Sequence, residues 1–316
     1  MTGPAIGVLL PRDLPPDHLV SFARRAEELG FAELWVVEDL GFAGGVAQAA
    51  TALASTTTLT VGIGILPAGA RNVAFAAMEL TTMARLFPGR LRAGIGHGMP
   101  AWMRSVGAWP SSPVTLLEEY VRALRALLRG ERVAVQGRFV QLDGVQLEAA
   151  AHPVPPVLAG VRGPKSLGVA GAVADGVILA EPTAPEYVAQ ALEHVGRAHV
   201  QVVAFALAAV DDDASAAVAR VRPALAVVGE PDWAAHLAPL PFAEELAELR
   251  ATAGSADGVA EALPDEWVRW LALAGSPEEV RASLTRQHEA GAQTVVLIPV
   301  GSDPLARLPE LARVIR

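Results

Sequence analysis

The chain contains no cysteine. Disulfides, thiolate nucleophiles and thiolate metal sites are therefore excluded. Lysine is almost as scarce, with Lys165 alone among 25 basic side chains, and the formal net charge is −9. Such a balance is unsuited to a nucleic-acid backbone or an anionic membrane as partner, because both need clustered positive charge. The longest mostly apolar run, Val200–Val210, is too short to cross a bilayer, and the N-terminal IGVLL has no basic flank or cleavage signal. A soluble, cytoplasmic protein is expected. The seven histidines form no HxH or HxxxH pair, so no metal site is expected, and no GxSxG elbow points to a nucleophilic serine.

What the chain has in quantity is core material. Its 316 residues are 52% hydrophobic and 19% charged, which fits one globular domain spanning 1–316. Short apolar runs alternate with helical patterns. IGVLL precedes DHLVSFARRAEELG, where Leu19, Phe22, Ala23, Ala26 and Leu29 recur at helical spacing and Gly30 closes the helix. The same unit recurs from ELWVVED, LTVGIGIL, LRAGIGHG, PPVLAGV, DGVILAE, VQVVAFALAAV and AQTVVLIPV. Ahead of the last of these, Ser276, Pro277 and Glu279 have the spacing of a helix cap with a capping box. Strands that are apolar throughout must be covered on both faces, as parallel strands are. Eight of them with intervening helices predict an α/β fold, a closed (β/α)8 TIM barrel. Two stretches break the pattern. Glu131–Glu148 reads as a small β insertion after strand four, and Arg220–Trp270 as a helical insertion before strand eight.

In such a barrel the chemistry lies at the carboxyl ends of the strands. That rule selects Glu38 and Asp39, Leu66 to Asn72, Gly96 to Trp102, Gly160 to Ser166, Glu181, and Val300 to Asp303. GIGHG fails as a dinucleotide fingerprint, since GxGxxG would need glycine at Met99. Two readings of it stand: Gly96 and Gly98 let backbone approach a flat ligand beside His97, or they only close a tight turn. GVRGPKS is the better phosphate candidate, with Gly163 freeing the turn and the amides near Lys165 and Ser166 facing an anion. The other reading of Lys165 is a solvated residue at a helix start. Glu38, Asp39 and Glu181 either hold a raised pKa and handle protons or cap a helix or pair with arginine. Asp211–Asp213 reads as a helix start. Trp102, Met103 and Trp109 suggest an apolar acceptor, or merely loop packing.

Taken in order, ELWVVED, LTVGIGIL, MARLFPGRLRAGIGHG, PPVLAGVRGPKSLGVAGAVADGVI and GSPEEVRASLTRQHEAGAQTVVLIP resemble the bacterial luciferase-like family of flavin- and deazaflavin-dependent oxidoreductases. The likeness is to its coenzyme F420 branch in particular. The resemblance implies that Asp39 touches the cofactor ring and that Gly64, Ile65 and Leu66 form a bulged third strand with a cis peptide not involving proline. It places Gly96, His97 and Gly98 beside the ring, and Gly160, Gly163, Lys165 and Ser166 in the loop that receives the cofactor phosphate. Two positions depart from the family pattern. A histidine that often follows the second-strand acid is Leu40 here, and the glutamate of some sugar-phosphate dehydrogenases is Met99.

The implied activity is hydride transfer from reduced F420 to an activated C=C or C=N bond of a small molecule or modified peptide. His97 is the first choice of proton donor, followed by Asp39 or Glu181. A homodimer is implied as well. The alternatives are FMN as cofactor in a monooxygenase on the same scaffold, and a cofactor-free barrel serving as a binding or structural partner.

Overall fold

The computed structural model describes residues 3–315. Eleven strands occur among the described residues. They are β1 (Ala5–Leu9), β2 (Glu33–Val36), β3 (Thr60–Pro67), β4 (Leu91–Gly96), β5 (Val133–Gln136), β6 (Gln141–Val145), β7 (Val157–Gly160), β8 (Gly176–Leu179), β9 (Gln201–Val210), β10 (Leu273–Gly275) and β11 (Thr294–Pro299). Strands β1, β2, β3, β4, β7, β8, β9 and β11 pair in parallel in that order, and β11 returns to β1, so the sheet closes on itself. This is the (β/α)8 barrel that the alternation of apolar runs predicts. No helix among the described residues is long and apolar enough to cross a membrane.

The helices cover the outside because one face of each is apolar. In the helix Leu19–Leu29, Leu19, Phe22, Ala23 and Ala26 are buried, and Gly30 ends it with φ 88°. The expected capping box is present ahead of Pro277–Glu289: the Glu279 amide donates to Ser276 Oγ at 3.3 Å, and the Ser276 amide donates to Glu279 Oε2 at 2.7 Å. Asp213 caps the helix Ala214–Val221, as the acidic run suggests.

A second core fills the barrel itself, built from Leu9, Trp35, Leu158, Ile178, Val203, Phe205 and Val296. Trp35 is its largest member and meets the Phe205 ring edge-on, centroids 5.5 Å apart. Gly62 makes room for it, since a Cβ there would fall 2.4 Å from the indole. The barrel is thus packed and not a pore.

The small β insertion is the antiparallel pair β5–β6. Glu119 on the neighbouring helix Pro113–Leu128 pins it by accepting from the amides of Arg138, Phe139 and Val140. The helical excursion gathers Leu225, Val228, Leu237, Leu246, Val259 and Val268 into a cluster of its own against β9. It ends in a strand that the hydropathy pattern does not reveal. β9 is ten residues long and outruns β8, and β10 pairs with its free end, Leu273 beside Ala208 and Gly275 beside Val210.

Candidate active site

The site begins with an irregularity in β3. Its register against β4 shifts between Ile63 and Leu66, and the Gly64–Ile65 peptide is cis, as the family resemblance implies. The shift throws Ile65 toward the barrel mouth, where its side chain lies over β4 and β7. A Cβ on Gly160 would fall 2.4 Å from Ile65 Cγ2, and one on Gly96 would fall 2.7 Å from the Gly160 carbonyl and 3.0 Å from Ile65 Cγ1. Gly96 and Gly160 are therefore occupied in seating the bulge, which answers the two readings of GIGHG with a third. Gly98 has φ 72°, and a Cβ there would strike Met103 Sδ at 2.9 Å, so it serves a tight turn. Leu66 is 1% exposed and packs in the outer core, leaving its backbone alone for the mouth.

After β7 the helix Pro164–Val173 begins at Gly163 with no side chain capping it. Gly163 is extended, φ −89° and ψ 159°, so the turn does not require glycine there; open space around its Cα does distinguish it. Lys165 is exposed and Ser166 buried. The Ser166 hydroxyl lies 3.0 Å from His97 Nε2, which ties the β4 loop to the helix start. Burial holds the His97 imidazole below its ordinary pKa, so it is neutral near pH 7.

The two adjacent acids after β2 part company. Glu38 accepts from the Gly45 amide at 3.0 Å and pairs with Arg71 at 2.9 Å, so its charge is consumed locally. Asp39 pairs with Arg12 from the β1 loop at 2.9 Å, and Arg12 lies 4.9 Å above the Phe42 ring.

Glu181 follows β8 at the same mouth. Enclosure in the barrel mouth pushes its carboxyl above the usual range. Asp39 adds to the effect, while its own backbone amide, Arg162 and Arg12 oppose it. Its segment is gripped by the helical insertion: Trp233 Nε1–H donates to the Glu181 carbonyl at 2.7 Å, and His236 Nδ1–H donates to the Pro182 carbonyl at 3.0 Å. The electrostatic coupling of Glu181 to Asp39, Arg12 and Arg162 places loops after β1, β2, β7 and β8 around one space.

Sequence reasoning missed Arg12, Arg162, Trp233 and His236. Arg162 sits inside a segment that the strand-end rule selects, but no motif marks it. Trp233 and His236 carry no such signal, because they come from the insertion. No metal-binding group of acids and histidines occurs among the described residues.

Residues 3–294 match the luciferase-like monooxygenase family. The chain belongs to that family. It is 26% identical over 306 residues to 5,10-methylenetetrahydromethanopterin reductase of Methanolobus tindarius, covering 92% of this chain and 93% of the relative. Its fold matches the coenzyme F420 dependent tetrahydromethanopterin reductase of Methanopyrus kandleri with TM-score 0.82, at 20% identity and 98% coverage of both chains. An F420-dependent secondary alcohol dehydrogenase, solved with an F420-acetone adduct, superposes with TM-score 0.76, at 21% identity, covering 99% of this chain and 98% of that one.

Proposed function

We propose that this luciferase-like protein is an oxidoreductase that uses coenzyme F420 to reduce an activated C=C or C=N bond of a small molecule or modified peptide. The observation that carries the reading is the meeting, at one end of the barrel, of an apolar ledge at Ile65 and an uncapped helix start at Gly163, joined through His97 and Ser166. A flat ring with an anionic tail fits that pair. Ile65 would lie under the ring, and the amides at Lys165 and Ser166, with the helix dipole behind them, would hold the phosphate. Once bound, the reduced cofactor supplies a hydride.

The protein's own part is positioning and proton supply. His97 is a poor first choice of donor, because it is neutral and already bonded to Ser166. Asp39 is held by Arg12. Glu181, whose enclosure favours the protonated form and which makes no ion pair among the described residues, takes the role instead. Its hydrogen bonds to the insertion run through the backbone, which leaves the carboxyl available.

Titration of the purified chain with coenzyme F420 and with FMN, followed by fluorescence, tests the assignment. Binding of F420 at least tenfold tighter than FMN is expected. Tight FMN binding without F420 binding transfers the protein to the monooxygenase reading, and binding of neither leaves the binding or structural role. The homodimer reading draws support from Phe75, Met78 and Leu86, exposed along one face of the helix Val73–Leu86. Sedimentation of the purified chain checks it.

A further inference from the structure

Charge pairing at the mouth is uneven. Arg12 is spent on Asp39 and Arg71 on Glu38. The Arg162 guanidinium, among the described residues, makes no ion pair and no hydrogen bond; its partner is the Trp233 ring, 4.2 Å away. Half-buried at the end of β7, it keeps its planar fork of N–H donors free.

The support beneath it is fixed from several directions. Trp233 is held in plane by its bond to the Glu181 carbonyl at 2.7 Å. The Tyr187 hydroxyl donates to the Arg162 carbonyl at 3.1 Å, and His236 stacks on Tyr187 with centroids 4.2 Å apart. His236 itself is 1% exposed, and burial lowers its pKa to about 4, so it brings no competing positive charge near pH 7. Glu181 forms no ion pair with Arg162 among the described residues, and its enclosure favours the neutral carboxyl, so the guanidinium has no anionic partner there. A half-buried, preoriented and unpaired guanidinium at the barrel mouth matches a pair of oxygens of a carboxylate or a phosphate.

Resting on the oxidoreductase reading above, we infer that Arg162, laid on Trp233, determines specificity by binding an oxyanion group of the substrate. The cofactor phosphate shares this chemistry but has its own seat at Lys165 and Ser166, on the side that touches His97. Arg162 instead has Glu181, Tyr187, Trp233 and His236 as neighbours. An anion held there brings the acceptor bond beside the Glu181 carboxyl. The helical insertion thereby contributes to substrate choice through Trp233.

Two probes test this without a known substrate: inorganic phosphate and benzoate, added to the full chain without cofactor while the Trp233 indole N–H resonance is followed. At least one probe is expected to shift that resonance saturably. Arg162→Met is expected to weaken the probe about tenfold or more, Arg162→Lys less, and both to bind coenzyme F420 within about twofold of the parent. Unchanged unfolding midpoints confirm that the variants are folded. Silence of Trp233 toward both probes, or an unaltered probe affinity in Arg162→Met, overturns the inference. A tenfold loss of F420 binding in Arg162→Met also overturns it, by giving the guanidinium to the cofactor. Failure of the parent chain to bind F420 strikes the cofactor reading instead, since the probe measurement does not involve it.

Discussion

The two ends of the barrel differ in how completely their charges are paired. At the end where the strands begin, Glu33 is 2% exposed, accepts from Trp35 Nε1 at 2.8 Å and pairs with Arg92 at 2.8 Å. Arg125 forks onto Asp175 and the Val173 carbonyl, and Arg90 onto the Thr56 and Leu59 carbonyls. Burial works against the Glu27 carboxylate, but the Thr58, Leu59 and Thr57 amides outweigh it and hold its pKa down to about 2. A recess at this end, between Arg129, Pro155 and Gln201, is lined by Arg125 and Asp175, already joined to each other. At the mouth Glu38 and Asp39 are paired, but Glu181, Arg162 and the helix start at Gly163 have no such partners among the described residues. Groups satisfied by the protein stabilise the fold, whereas groups left without partners are available to a ligand.

Removing one partner at the closed end should give the largest effect. Arg92→Met strands the Glu33 carboxylate between Trp35 and Thr294. A loss of about 3–5 kcal/mol is expected, read from the urea midpoint, with cofactor affinity of the folded fraction unchanged. A loss below about 1 kcal/mol would erase the contrast between the ends.

Gly160→Ala probes the ledge. Its Cβ would meet Ile65 Cγ2 at 2.4 Å, so the bulge must shift, at a cost of about 1–3 kcal/mol. Coenzyme F420 affinity should fall with it. Gly163→Ala is the control, since its Cβ meets no protein atom within 4 Å. It should leave the midpoint in place, and any loss of affinity there reports the ligand alone. Equal stability of the two variants would remove the packing argument for Gly160.

The barrel was legible because its signals are local. Apolar runs, helical spacing and the Ser276–Glu279 cap are all set within a dozen residues. β10 was hidden because its three residues become a strand only where β9 outruns β8, a fact that depends on strands over sixty residues apart in the chain. The site shows the same division. Strand-end placement picks out Asp39, His97, Ser166 and Glu181, yet Glu38 and Asp39 look alike until Arg71 claims one and Arg12 the other. The glycines of GIGHG advertise close approach without saying to what, and the visitor at Gly96 proved to be Ile65.

The smallest effect is the most diagnostic of sign, because Glu181 should cost the fold stability. At pH below the ordinary glutamate value of 4.5 its carboxyl is protonated in both the folded and unfolded chain, and it contributes nothing. As pH rises past 4.5 the unfolded chain releases the proton first, while the enclosed carboxyl keeps it. Stability from this residue therefore declines until the folded group titrates as well, and is level beyond that. Glu181→Gln removes the penalty, so the variant should gain on the parent across that window and then hold a constant lead. Urea midpoints from about pH 4 to 8 check it. A lead that shrinks with rising pH would mean that the carboxylate is stabilised at the mouth, and Glu181 could not then be the proton donor.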